Sequence, residues 1–457
     1  MLPAAALPID EAYERGRALR KDVPRSAQGS FVAPERDAVA IIEDQNRDRL
    51  QELVPIRIGR MLQSPFAYFR GSAAVMAHDL GTESRTGVEL VVCGDAHVSN
   101  FGLFASPERR VIFDLNDFDE TSIGPWEWDV KRLVASAVVA GRQLGLTPEQ
   151  VTATALAAAR AYRTGLAQAF TVSALERFYF RVETDWLEAR VNAESQQVVR
   201  RTIKKARRRT SEQVLAKITT TEDCGTPRII DDFPIIRHDD ALPVERVGKL
   251  YSDYRLSAQS DVTVLLQQFR VVDAVMRIVG VGSVGTRCFI ALLLGRSNEA
   301  LFIQIKEAPP SVLATYGGLA HSATLGMADK RVGGEGWRVV TGQRILQSVS
   351  DPFLGWVGFE GRDYYCRQFR DMKGSVELEA LTPSELADYA RLCGGVLARA
   401  HSQSPDAAVV RGYLGESARF DDAVTAWAHA YADQTERDYA ALQQAVRCGR
   451  IAAEEGA

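Results

Sequence analysis

Residues 91–132, VVCGDAHVSNFGLFASPERRVIFDLNDFDETSIGPWEWDVKR, carry the densest set of side chains able to do chemistry. Asp95 and His97 follow Gly94, Asn100 comes shortly after, and Asp114, Asp117, Asp119 and Glu120 crowd the end of the second half. Two β-rich runs, 88–92 and 110–115, precede these groups, so acidic residues at strand ends can converge on one point. Carboxylates with an Asn beside them form a hard-oxygen site suited to Mg²⁺ and phosphate oxygens. The order Asp95, Asn100, Asp117 fits phosphoryl transfer. In that chemistry a loop Asp accepts the proton of the attacking hydroxyl, an Asn a few residues on helps hold a metal, and a later Asp binds Mg²⁺. Asp114 and Asp119 are further candidates for the metal. The bland alternative is a set of turn carboxylates, because Asp and Asn favour turns for local hydrogen-bonding reasons. Three matched elements in the right order weigh against it.

A second block, 277–313, predicts a nucleotide-binding unit. A β-rich run meets Gly280-Val281-Gly282-Ser283-Val284-Gly285, with Thr286 and Arg287 after it. A strand over 287–294, a turn at 295–298 and a strand over 301–305 then lead to Lys306. Glycines let backbone N–H groups approach phosphates, and a Lys on a following strand supplies a point charge for phosphate oxygens. A tight hairpin also needs glycines; the position of Lys306 favours ATP. Glu335, at the start of a helix expected over 333–347, is the candidate partner of Lys306, with Glu307 as its rival.

The loop GDAHVSN and the later DFDE resemble the catalytic loop of aminoglycoside and choline phosphotransferases, kinase-like enzymes with the pattern H-G-D-x-x-x-x-N followed by I-D-[FW]. Cys93 stands where that pattern has His, and Asn116 where it has Ile. Gly124-Pro125 and Trp128-Asp129-Val130 match the elements that follow in those enzymes, and this favours Asp117 over Asp114. The helix end LARAHS, 397–402, is similar to the helix that precedes their catalytic loop. Here that helix comes near the C-terminus, and the glycine loop and Lys306 come after the catalytic loop. The resemblance therefore implies an α+β, kinase-like, two-lobed fold in circularly permuted order. It has a small β-rich nucleotide-binding lobe (276–373) and a larger helical lobe (36–275 with an insertion near 200–245, completed by 374–457), preceded by an N-terminal arm (1–35). Over most of residues 40–440 the chain also resembles the bacterial family known as domain of unknown function 2252. GDAHVSNFG, FDLNDFDE, GVGSVGTR, IKEA and YYCRQFRDMKG carry that resemblance.

Around these motifs, 64–80 reads as one helix opening at Ser64-Pro65, with Arg70 near enough in sequence to reach the acidic cluster. Residues 130–169 read as two buried helices, 170–186 as their continuation, and 384–401 as an N-capped amphipathic helix. A hairpin is expected over 351–369, with 370–374 crossing between lobes. The basic run 200–209 reads as a solvated face rather than a polyanion contact.

The 457-residue chain has 46% hydrophobic and 25% charged residues and a net charge of −4, an ordinary globular balance. That balance makes no global electrostatic case for nucleic acid or membrane. Its six scattered cysteines suggest neither a disulfide framework nor a zinc site. The absence of a signal-like start and of a long apolar run predicts a cytoplasmic protein. The expectation is an ATP- and Mg²⁺-dependent phosphotransferase acting on a small hydroxyl compound, with oligomeric state left open. A nucleotidyl transferase or a nucleotide-binding regulator is the alternative. A metal-dependent phosphoesterase built on Asp95-x-His97 lacks the further His cluster it needs.

Overall fold

Two antiparallel ladders bring the Gly-Asp loop and the acidic segment together. In the computed structural model, β1 (Glu89–Val92) pairs with β4 (Ser122–Pro125), and β2 (Phe101–Ala105) pairs with β3 (Val111–Leu115). Val92 lies opposite Ser122 and Phe101 opposite Leu115. Loop 93–100 and segment 116–121 therefore run side by side between the ladders, with the Asn116 N–H on the Asn100 carbonyl at 3.0 Å. The apolar run of β2 makes a strand that the sequence reading left inside the loop. The structure describes residues 7–33, 35–184, 193–207, 215, 217–221, 226–239, 243–278, 280–319, 334–369 and 372–454.

The remaining strands are β5 (Thr219–Thr221), β6 (Pro227–Ile229), β7 (Ile236–Arg237), β8 (Arg270–Arg277), β9 (Cys288–Leu294), β10 (Ala300–Glu307), β11 (Gly355–Phe359) and β12 (Arg362–Gln368). β5 and β6 form a hairpin, and the other six make one antiparallel sheet in the order β11-β12-β10-β9-β8-β7. Both faces of this sheet are covered, so its central strands are apolar throughout. Phe289, Ala291 and Leu293 of β9 point to one face, against the helices Val244–Tyr254 and Ser260–Leu266. Ile290 and Leu292 point to the other, against Ile229 and Phe369. This is the two-residue period of a strand. The sheet reaches back before residue 276, because β8 begins at Arg270 and pairs with β7.

The larger core is helical. Helices Trp126–Gln143, Pro148–Ala169, Pro383–His401 and Arg419–Arg447 pack around Trp126, Tyr162, Leu397 and Trp427. Thr147 with Gln150 and Thr382 with Glu385 form capping boxes, each followed by Pro at the first helical position. The fold is a mixed α+β arrangement with small sheets, and no described helix is long and apolar enough to cross a membrane.

Several elements depart from the sequence reading. The single helix expected over 64–80 is two, Pro65–Gly71 and Ala73–Gly81, because Ser72 leaves helical geometry and donates its hydroxyl to the Phe69 carbonyl. Helix does not continue through 170–186: the long helix ends at Ala169, and Ser173 caps a short new one, Ala174–Tyr179. The described residues of the N-terminal segment contact a late helix of the chain. Helix Ile9–Leu19 packs on Ala407–Leu414, and Arg20 and Arg25 donate to the carbonyls of Gly412, Tyr413 and Leu414. The expected helix over 333–347 runs Gly334–Leu346. Residues 208–209 of the basic run, Cys224, and residues 370–371 of the crossing lie outside the described residues.

Candidate active site

Gly94 adopts φ +82°, and a Cβ there would lie 2.2 Å from the Glu120 carbonyl oxygen. Only glycine lets the loop turn so close to the acidic segment. The turn is held from behind by the buried carboxylate of Asp129, which accepts the N–H groups of Cys93 at 2.6 Å and Gly94 at 2.8 Å. His401, the last residue of helix Pro383–His401, sits with Nε2 3.1 Å from Asp129, and Tyr162 Oη lies 2.9 Å from its Nδ1. Residues from three helices thus fix the two peptide groups that lead into Asp95.

The Asp95 Oδ1 accepts from Arg132 Nε at 2.8 Å. Arg132 also donates to the Phe69 carbonyl at 2.8 Å and stacks 4.0 Å from the Phe69 ring. The other carboxylate oxygen lies 3.7 Å from His97 Nε2. Burial pushes His97 down to about 4; Asp95 opposes this, and the cations of Arg70 and Arg132 reinforce it. The Asn100 amide nitrogen donates to the carbonyls of Asp95 and Asp117, each at 2.9 Å, so its oxygen is the atom left for a ligand.

The four acidic candidates go to different places. Asp114 is turned into the protein, where its carboxylate accepts the N–H groups of Leu115 at 2.9 Å and Ser348 at 2.8 Å. It does not line the cavity, which removes it as a metal ligand: those two amides hold it on the far side of β3. Asp117 does line the cavity. Its Oδ1 is sheltered from solvent, makes no hydrogen bond, and lies 3.7 Å from Lys306 Nζ. Burial opposes its charge, but Lys306, Arg367 and Lys373 prevail and draw its carboxyl down to about 2. Asp119 forms an ion pair with Lys306 and accepts from Tyr365 Oη at 2.8 Å and Ser283 Oγ at 3.3 Å. Glu120 also lines the cavity and accepts the Val312 N–H at 2.7 Å.

Lys306, next to the last residue of β10, is buried beneath this segment. Burial works against its charge, yet Asp117 and Asp119 raise it well above an ordinary Lys. Neither Glu named as its partner pairs with it. Glu307 follows Lys306 on the strand and points to the opposite face, where it meets Arg287 and Arg362. Glu335 pairs with Arg338 one helical turn away. Arg338 in turn donates to the carbonyls of Asp119, Thr121 and Pro309, so helix Gly334–Leu346 braces the acidic segment.

The glycine loop between β8 and β9 closes the other wall. Gly280, Gly282, Ser283 and Thr286 line the cavity, whereas Gly285, at φ +88°, packs on the Arg49 side chain and Arg287 is taken up by Glu307. Arg49 donates to the Val284 carbonyl at 2.5 Å and Arg60 to the Gly280 carbonyl at 2.7 Å. The cavity is about 1010 Å³ and open to solvent, and Asp95, Asn100 and Asp117 share it with the glycine loop. Five atoms on its lining residues, Arg49 Nε, Arg70 Nε, His97 Nδ1, Asn116 Oδ1 and Asp117 Oδ1, are shielded from solvent and have no hydrogen-bond partner. Buried polar groups in folded proteins are almost always satisfied, so such a concentration marks a place for a ligand. Among the described residues no three His, Cys, Asp or Glu side chains group closely enough to hold a metal by themselves.

The sequence reading missed Arg132, Arg338 and Tyr365 and left Arg70 without a role. Arg132 had a signal: it lies three residues after Asp129, on the same helical face. Arg338 and Tyr365 had none, since each meets its partner only across the fold.

The Gly94-Asp95 loop, the acidic segment and the glycine loop thus meet around one cleft of a mixed α+β fold. The chain belongs to the family described as "Uncharacterized protein conserved in bacteria (DUF2252)", whose profile matches residues 49–445. No curated protein and no solved structure matches it.

Proposed function

We propose that this protein is an ATP- and Mg²⁺-dependent phosphotransferase on a kinase-like, two-lobed fold whose chain order is circularly permuted. The observation that carries the reading is the shared cavity: Asp95, Asn100 and Asp117 face the loop 280–286 across it, with Lys306 beneath. The permutation is supported by helix Pro383–His401, which returns from late in the chain to hold Asp129 and, through it, the loop before Asp95.

Asp95 is positioned by Arg132 to orient the acceptor hydroxyl and take its proton. The backbone of 280–286 and Lys306 serve the nucleotide phosphates. Asn100 Oδ1 and Asp117 Oδ1 would hold Mg²⁺; that ion takes oxygen ligands and commonly one or two carboxylates plus substrate phosphates, which suits a site without a complete protein cage. When bound, the ion neutralises charge on the phosphate oxygens. Asp119 acts as the counter-ion that keeps Lys306 charged and in place. The reading predicts that a non-hydrolysable ATP analogue binds in an Mg²⁺-dependent manner. Asp117→Asn should abolish that dependence while circular dichroism and thermal melting show the fold intact. Unchanged Mg²⁺ dependence in a folded Asp117→Asn protein would overturn the assignment.

A further inference from the structure

Arg70 ends the short helix Pro65–Gly71 and lines the cavity. Its guanidinium makes no hydrogen bond or ion pair with any described residue, and its Nε is shielded from solvent. Burial lowers its pKa from the ordinary Arg value, and the carboxylates that counter this are Asp95, Glu379 and Asp117. None of these forms an ion pair with it: Asp95 is held by Arg132 and Asp117 lies beside Lys306. A partly desolvated guanidinium without an anion is costly to keep. The Arg132 bridge from Asp95 to the Phe69 carbonyl puts Arg70, the next residue, beside the loop that carries Asp95. Arg49 is a second guanidinium without a carboxylate, but it lies at the other end, bonded to the glycine loop.

The acidic groups of the cavity are engaged, most by a cation, and Glu120 and Asp363 by backbone N–H groups. Glu307, Glu335 and Glu360 each have an arginine partner, and Asp44 has Tyr316 and Arg47. Asp48 is at the exposed rim. A cationic acceptor such as an amino alcohol would find Asp95 already paired with Arg132, whereas an anionic one meets Arg70.

We propose that the acceptor is an anion: a small hydroxyl compound that also carries a carboxylate or phosphate, held by Arg70 while its hydroxyl faces Asp95. This rests on the phosphotransferase reading and names its substrate class. In the reaction the acceptor oxygen forms a bond to the γ-phosphorus of ATP and the bond from that phosphorus to the β–γ bridging oxygen breaks. ADP leaves with the electron pair, and the hydroxyl proton passes to the Asp95 carboxylate and on to solvent.

The test uses the full chain saturated with Mg²⁺ and a non-hydrolysable ATP analogue, titrated calorimetrically with inorganic phosphate and, separately, with choline. Phosphate should bind beyond the nucleotide and choline should not. Arg70→Gln should weaken phosphate by about tenfold or more, with Arg70→Lys partly restoring it and the analogue's Kd unchanged within about twofold. Choline binding in place of phosphate, phosphate binding indifferent to Arg70→Gln, or an equal loss of the analogue in that variant would each overturn the proposal. In the last case Arg70 serves the nucleotide. If the analogue does not bind at all, the phosphotransferase reading fails separately. Phosphate titrated into the nucleotide-free chain then decides the anion site: sensitivity to Arg70→Gln upholds it and insensitivity refutes it.

Discussion

Two cavities among the described residues are of nearly the same size, about 1010 Å³ between the glycine loop and Asp95 and about 1020 Å³ between helices Pro148–Ala169 and Pro383–His401. What lines them differs. The second is walled largely by Ala157, Ala161, Leu392, Gly395 and Val396; Arg391 pairs with Asp388, and Arg399 donates to the Leu346 carbonyl. Of its lining atoms only Arg399 Nε is buried without a partner among the described residues, against the five named above on the first. Volume therefore does not identify the site. A groove of small apolar side chains is what remains where two helices approach closely on Ala and Gly. A cavity ringed by unsatisfied polar atoms is one the protein keeps at a cost in stability, and a bound ligand offsets that cost.

The largest break in this comparison should come from Asp95→Ala. Loss of the group that receives the acceptor proton should lower turnover by roughly 10²–10⁴-fold while nucleotide affinity stays nearly intact, because Asp95 acts on the attacking group. Steady-state turnover paired with nucleotide titration measures this. Lys306→Ala should instead weaken the nucleotide itself. If Asp95→Ala loses ATP as completely as Lys306→Ala does, the division of roles along the cavity is wrong.

A smaller effect is expected from pH. His97 has a folded-state value near 4 against about 6.5 for an unperturbed histidine. The unfolded chain therefore binds more protons between these values, and the contribution of His97 to stability is full above about 6.5 and lost as pH falls toward 4. His97→Gln, which cannot titrate, should show a shallower fall in Tm than the parent across that window. Parallel slopes would mean that His97 is not held neutral in the fold.

The smallest effect tests the apolar groove. Gly395 has nothing within 4 Å of where a Cβ would sit, whereas a Cβ on Gly394 would lie 2.2 Å from the Ala158 carbonyl oxygen. Gly395→Ala should stabilise its helix by about 0.5–1 kcal/mol, Gly394→Ala should destabilise the protein, and Gly395→Ala should leave nucleotide affinity unchanged. Denaturant melts with nucleotide titration check both arms. Altered nucleotide affinity in Gly395→Ala would couple the two cavities.

Much of this was written in short stretches of sequence. The order of strand, glycine loop, strand, turn and strand ending at Lys306 follows from short apolar runs of strand length broken by glycines and a turn, and β8, β9 and β10 are arranged so. Gly94 before Asp95, and the caps at Thr147 and Thr382, are likewise matters of neighbouring residues. Local spacing decides such features because helix and strand periods act over a few positions.

Tertiary packing decided which of four clustered carboxylates meets what. Asp114 and Asp117 are three residues apart, yet one is bonded to the Ser348 amide and the other looks into the cavity. Lys306 found Asp119 across 187 positions of chain rather than either glutamate that spacing suggested. Arg132 met Asp95 and left Arg70 without a counter-ion because helix Trp126–Gln143 crosses the end of helix Pro65–Gly71 at that point. Coulomb attraction and hydrogen bonding act over a few ångströms in space, and only the folded chain determines which groups come that close.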